Sequence, residues 1–199
     1  METYQLTSAQ DNATGEYRQV GYMPFEHEAR RIMQFWLWVF ITTGAAFVFS
    51  FLARNFGKLP EDFRIGISEI VIGIVGSLVT LVIHEWFHIL VMWRFGARPE
   101  FGLTKNKVIA TITARGYGFR RNTLIWILLM PLVALTSLAL LGIWLTQGSY
   151  WVALFALVAI INAGAAIADL WIVAFLLRYP GNAWTVDDKD GMHILLPID

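Results

Sequence analysis

The chain has 199 residues, no cysteine, and equal numbers of acidic and basic side chains, so its formal net charge is zero. That composition excludes disulfides and thiolate-held metals, and any metal site must draw on His, Asp or Glu. Hydrophobic residues make up 57% of the sequence, above the roughly 45–50% of soluble domains, and they gather in the long runs that mark a membrane protein.

Residues 1–30 are polar and mixed in charge, with no early apolar run, and read as a cytoplasmic N-terminal tail. The triplet Asn12-Ala13-Thr14 matches a glycosylation acceptor but falls on the cytosolic side of the topology below. Four stretches then follow that are long and apolar enough to span a bilayer: about Phe35 to Ala53, Ile65 to Trp93, Thr123 to Thr146, and Trp151 to Leu177. The second and fourth exceed the minimum, which implies tilt or extension beyond the hydrocarbon. Nine Trp and fourteen Phe suit aromatic belts at two interfaces. The expected fold class is therefore an all-α membrane protein of about four transmembrane helices, occupying residues 31–180, with a cytoplasmic C-terminal tail at 181–199.

The loops set the orientation. Residues 94–122 hold Arg94, Arg98, Lys105, Lys107, Arg115, Arg120 and Arg121 against a single acid, Glu100. The positive-inside rule puts this loop in the cytoplasm, and both termini with it. Arg54, Lys58 and Arg64 lie on the other side, accompanied by Glu61 and Asp62. A multi-pass protein of the cell membrane is expected. Within the loop, Val108 to Ala114 is β-branched and alternating, and Glu100 to Leu103 can pair with it across Thr104-Lys105-Asn106-Lys107. This predicts a small β-hairpin between the second and third spans, either structural or able to pair with an unwound substrate strand. A second hairpin is expected in the tail, where Trp184-Thr185-Val186 and His193-Ile194-Leu195 flank Asp188-Lys189-Asp190-Gly191. The run Arg115 to Arg121 mixes bases with aromatics and reads as a lipid-headgroup anchor. It is too short, and too close to a span, to indicate a nucleic-acid partner.

The chemistry concentrates in the second span, at His84-Glu85-Trp86-Phe87-His88. Two histidines four apart share a helix face, so both imidazoles can reach one cation. Glu85 is offset by one residue, near enough to contact a water held by that metal without ligating it. In such sites the metal acidifies the water and the glutamate takes its proton. Three ionisable groups inside a membrane helix are costly, roughly 2.5–3.5 kcal/mol for an unpaired acid, and imply a partner, a cavity or a metal.

A catalytic zinc takes a third protein ligand. Asp169 is the only acid inside the fourth span. His84 and His88 precede Arg94 by ten and six residues, and Asp169 precedes Arg178 by nine. At ~1.5 Å per residue the three sit at similar depth. Asn162 lies seven residues before Asp169, two helical turns away, and can position a substrate carbonyl or bridge helices. Ala159, Ala163, Gly164, Ala165, Ala166 and Ala168, with Gly73 and Gly76 on the second span, allow the two helices to approach closely. Glu69, four turns before His84, reads as an interfacial acid, and His27 and His193 as surface residues.

With a zincin motif in a membrane helix, a β-rich cytoplasmic segment, and Asn162 and Asp169 downstream, the chain resembles the site-2 protease class of intramembrane metalloproteases. From about residue 60 onward it more closely resembles the "putative zincin peptidase" family, whose short tail with an Asp-rich turn is matched by Asp187 to Gly191. It departs from the site-2 proteases in having Leu170-Trp171 after Asp169, where those carry Gly, and no Pro between Asn162 and Asp169. The resemblance implies one zinc ion held by His84, His88 and Asp169, with Glu85 as catalytic base. A membrane-protein or peptide substrate would be cut at or within the bilayer. The competing reading is a non-enzymatic membrane protein that binds or moves a metal or a proton.

Overall fold

The computed structural model describes residues 3–4, 16–24, 28–102, 111–113, 117–187 and 191–198. Among them, in chain order, are β1 (Thr3–Tyr4), β2 (Tyr17–Pro24), α1 (Glu28–Asn55), α2 (Ile67–Arg94), β3 (Glu100–Gly102), β4 (Thr111–Thr113), β5 (Gly118–Arg120), α3 (Arg121–Leu145), α4 (Trp151–Ala165), α5 (Ile167–Leu176), β6 (Trp184–Asp187) and β7 (Gly191–Pro197). The protein is mostly helical. Asn12-Ala13-Thr14, His27, Leu103 to Ala110, Ala114 to Gly116 and Asp188 to Asp190 lie outside the described residues.

Among the described residues, three helical segments are long and apolar enough to cross a membrane: Met33–Asn55, Ile67–Arg94 and Arg121–Leu145. The fourth expected span is two helices. α4 and α5 pass the same test only together, and they bend by 44° where they meet. The change of direction falls at Ala166, whose ψ of −2° departs from the helical value while its N–H still reaches the Asn162 carbonyl. The faces of α1 and α2 leave Phe40, Phe47, Leu78 and Val82 more than half exposed. Exposed apolar surface on that scale is characteristic of membrane-spanning helices.

The chain divides into two compact units. One comprises residues 32–86 and 129–170. Its core is built from Ala53, Ile143, Val152 and Ala156, with Phe49, Leu59 and Phe155 packed against them. Small residues set the spacing. A Cβ on Gly142 of α3 would run into the Phe155 ring of α4, and one on Gly76 of α2 would come within 2.8 Å of Leu154 of the same helix α4. Gly73 faces Leu157 one turn along, and Gly164 lies against Thr42 and Trp38 of α1. The expectation that glycines bring α2 close to the fourth apolar segment is met at these positions. Beyond the helices, the Gly148 N–H donates to the Gly57 carbonyl at 2.9 Å and ties the two short loops together.

The other unit comprises residues 1–31, 87–128 and 171–199. Here an antiparallel sheet has the strand order β1-β2-β7-β6-β5. β2 and β7 pair from Tyr17↔Pro197 to Pro24↔Gly191, with a bulge between Gln19 and Gly21. The Tyr179 ring stands where a Cβ on Gly21 would be, so the bulged strand needs glycine there. β6 and β7 pair with Trp184 opposite Leu195 and Val186 opposite His193. Tyr17, Trp184 and Leu195 make the sheet's core, with the Tyr17 and Trp184 rings edge to face at 6.1 Å. Two segments that read as separate tails, 1–30 and 181–199, thus supply adjacent strands. In the same unit β3 pairs with β4, Glu100 opposite Thr113 and Gly102 opposite Thr111. Of the aromatic-basic run, Tyr117 donates to the Phe95 carbonyl at 2.8 Å, Arg120 lies over the Trp184 ring, and Arg121 donates to the Tyr179 carbonyl.

Two tests follow. Gly142→Ala should lower thermal stability in detergent by about 1–3 kcal/mol through overpacking against Phe155, whereas Gly44→Ala on α1, with nothing within 4 Å of the added methyl, should leave it unchanged or raise it. The second concerns Asp187 at the end of β6. The residue is partly exposed, yet burial of its carboxyl pushes the pKa up to about 6. The folded form therefore holds a proton more tightly than the unfolded chain. Its contribution is stabilising below the ordinary aspartate range and is lost as pH rises through about 6. Melting curves at pH 5 and pH 7 should show wild type losing stability across this interval relative to Asp187→Asn.

Candidate metal centre

α2 is apolar and largely exposed, but one stripe of it is polar and buried. Thr80, His84 and His88 recur at four-residue spacing and are 2%, 2% and 7% exposed. The Thr80 hydroxyl returns to its own helix, donating to the Gly76 carbonyl at 2.7 Å. The imidazoles cannot do so and must find partners elsewhere.

His84 Nδ1 lies 2.8 Å from Asn162 Oδ1 on α4. Which atom of the amide faces the ring is fixed by the other end of the side chain. Asn162 Nδ2 lies 3.3 Å from the Pro131 carbonyl, 3.2 Å from the Leu132 carbonyl and 3.2 Å from the Thr136 hydroxyl. Carbonyls only accept, so the NH₂ group faces α3 and the amide oxygen faces His84. His84 must then donate from Nδ1, which puts the neutral ring's lone pair on Nε2. That nitrogen lies 3.2 Å from Asp169 Oδ2. A lone pair and a carboxylate oxygen at this distance repel unless a proton, carried by either group, or a metal ion lies between them.

His88 repeats the arrangement. Its Nδ1 donates to the Ile127 backbone carbonyl of α3 at 2.9 Å, so its lone pair also resides on Nε2. Metal-ligating histidines characteristically donate their other ring N–H to a carbonyl or carboxylate, which fixes tautomer and ring orientation. Both do so here. Asp169 comes from the first turn of α5, where the positive end of the helix dipole favours an anionic carboxylate. Its side chain is 13% exposed.

One ligand atom from each of His84, His88 and Asp169 lies within 4.8 Å of the others. Two ligands of a tetrahedral zinc, each about 2.0–2.1 Å from the metal, stand ~3.3 Å apart. The 3.2 Å between His84 Nε2 and Asp169 Oδ2 fits that value, and two imidazoles with one carboxylate suit zinc chemically. Glu85 follows His84 on α2, half-buried, and is rotated by about 100° around the helix axis.

The three residues expected from the sequence to ligate a metal are therefore together. Asn162, expected at a substrate carbonyl, has its amide engaged by His84 and by α3. Sequence reasoning found α3 as a span but gave it no part in the site: Ile127, Pro131, Leu132 and Thr136 hold the groups that orient His88 directly and His84 through Asn162. Glu69 caps the start of α2, accepting from the Gly66 N–H at 2.8 Å and the Ser68 hydroxyl at 2.9 Å. His193 is part of the sheet, where it pairs with Gln19 at 3.1 Å.

A family model described as "putative zincin peptidase" matches residues 77–184, just over half of the chain and a stretch that contains every residue of this cluster. No curated protein and no solved structure matches the chain.

Asn162→Leu removes the acceptor that holds His84 while keeping side-chain volume. Zinc affinity, measured by chelator competition, should fall about 10–100-fold, with the one-ion stoichiometry recovered at excess metal. An unchanged dissociation constant would contradict the orienting role.

Proposed function

The chain belongs to the putative zincin peptidase family, and on that premise we propose that it is a membrane-embedded zinc metallopeptidase that hydrolyses peptide bonds at or within the bilayer. The observation that carries this reading is the pair of histidines whose Nδ1 protons are both taken by protein oxygens, with a carboxylate 3.2 Å from the remaining nitrogen of one of them. A purely structural buried histidine needs its hydrogen bonds satisfied. It does not need a neighbouring histidine and an aspartate arranged at metal-ligand spacing.

His84, His88 and Asp169 hold the ion. When bound, zinc supplies Lewis acidity, acidifying water and polarising a carbonyl. Glu85 is the general base: it accepts the proton of the attacking water and delivers it to the departing amine. Asn162 holds His84 in the donating tautomer, so it acts on the substrate only through that ring. Asp169, anionic at a helix N-terminus, balances part of the metal's charge inside an apolar surround.

The apolar helices around the cluster support a substrate class. A peptide bond met by these helices belongs to a membrane-spanning or membrane-adjacent segment, and its carbonyls are tied into helical hydrogen bonds until the segment unwinds locally. The excess of Arg over acidic residues after α2 supports a cytoplasmic loop between α2 and α3 and cytoplasmic termini. Water then reaches the ion from the cytoplasmic side of the cell membrane.

The test is Glu85→Gln in protein reconstituted with single-span peptide substrates. The variant should retain one zinc per chain and lose cleavage by about 10²–10⁴-fold. Cleavage at the wild-type rate would refute the assigned base. Retention of zinc with no cleavage by either protein would favour a metal- or proton-handling role for the same cluster.

A further inference from the structure

α3 carries a proline in its interior, Pro131. Proline is the least favourable residue in a helix because it has no N–H to donate to the carbonyl four residues earlier. Here that carbonyl belongs to Ile127, the acceptor of the His88 Nδ1 proton at 2.9 Å. Ile127 is fully buried, so its carbonyl has no access to bulk water and must find a donor inside the protein. The register is specific. A proline one residue earlier or later on α3 would expose the carbonyl of Trp126 or Leu128, on a different side of the helix.

We propose that Pro131 is a positioning residue for the metal centre: by withholding the N–H that would occupy the Ile127 carbonyl, it reserves that carbonyl for His88 and fixes the ring as the Nδ1–H tautomer. The same turn does a second task. The Pro131 carbonyl is one of the acceptors of Asn162 Nδ2, at 3.3 Å, and the other end of that amide holds His84 at 2.8 Å. One turn of α3 thus bears on both histidines, directly on His88 and through Asn162 on His84. A regular helix would offer His88 no carbonyl relieved of its own backbone partner. The cost of a mid-helix proline is accounted for by what the vacated acceptor orients.

The inference rests on the zinc-site reading for its purpose but not for its test. The protein is labelled with ¹⁵N in the histidine rings, stripped of metal, and read by NMR in detergent at mildly alkaline pH, where ring nitrogen shifts report the tautomer. Wild type should show His88 as the Nδ1–H form. Pro131→Ala restores a backbone N–H that captures the Ile127 carbonyl, and the Nδ1–H form should lose its dominance. Replacing residue 131 with lactic acid, which has the alanine side chain but an ester oxygen in place of the N–H, should return His88 to the Nδ1–H form. Zinc affinity should follow the tautomer, falling about tenfold in Pro131→Ala and recovering in the ester. An unaltered His88 tautomer in Pro131→Ala would overturn the proposal. So would an ester variant shifted as far as Pro131→Ala, since the ring and not the missing N–H would then be responsible. Failure of wild type to bind zinc at all would overturn the zinc-site reading and leave the tautomer result to stand or fall separately.

Discussion

The structure depends most on how one buried imidazole is held. His84 is almost fully buried on α2, so both of its ring nitrogens need partners from the protein. Asn162 takes one and Asp169 faces the other. Because the amide of Asn162 can be oriented in only one way against the carbonyls of α3, the proton on His84 is located by elimination. What remains is a lone pair aimed at a carboxylate. In a low-dielectric surround that arrangement needs a proton or a metal ion between the two atoms.

That clamp requires two side chains seven residues apart to reach opposite ends of one ring. On a straight helix Asn162 and Asp169 would point the same way, displaced along the axis by about 10 Å. The break at Ala166 changes this. It ends α4 shortly after Asn162 and starts α5 shortly before Asp169, and the 44° change of direction lets both reach His84. The small residues around the break, together with Gly73 and Gly76 on α2, permit the approach. The helix break, the glycines and the polar stripe on α2 are consequences of one requirement.

Much of the site was legible in the sequence because its constraints are local. His84, Glu85 and His88 are set by helical periodicity, and Asp169 stands out as an acid in an apolar run at matching depth. The apolar segments were equally plain, since length and hydropathy are one-dimensional properties. What escaped was whatever depends on a distant partner. Tyr17 to Pro24 carries a weak strand pattern that becomes a strand only beside Gly191 to Pro197. The break at Ala166 has no proline to announce it. Pro131 was visible in the sequence, and the rule that it strands the carbonyl four residues back was applicable. Nothing in the sequence said that a histidine would be waiting there.

The central claim is a three-residue zinc site with both histidines bound through Nε2. X-ray absorption at the zinc edge of purified, zinc-loaded protein addresses it most directly. The account predicts a shell of four nitrogen or oxygen ligands at roughly 2.0–2.1 Å, with outer-shell scattering from two imidazoles. A shell of six oxygens, or one containing a single imidazole or none, would contradict it.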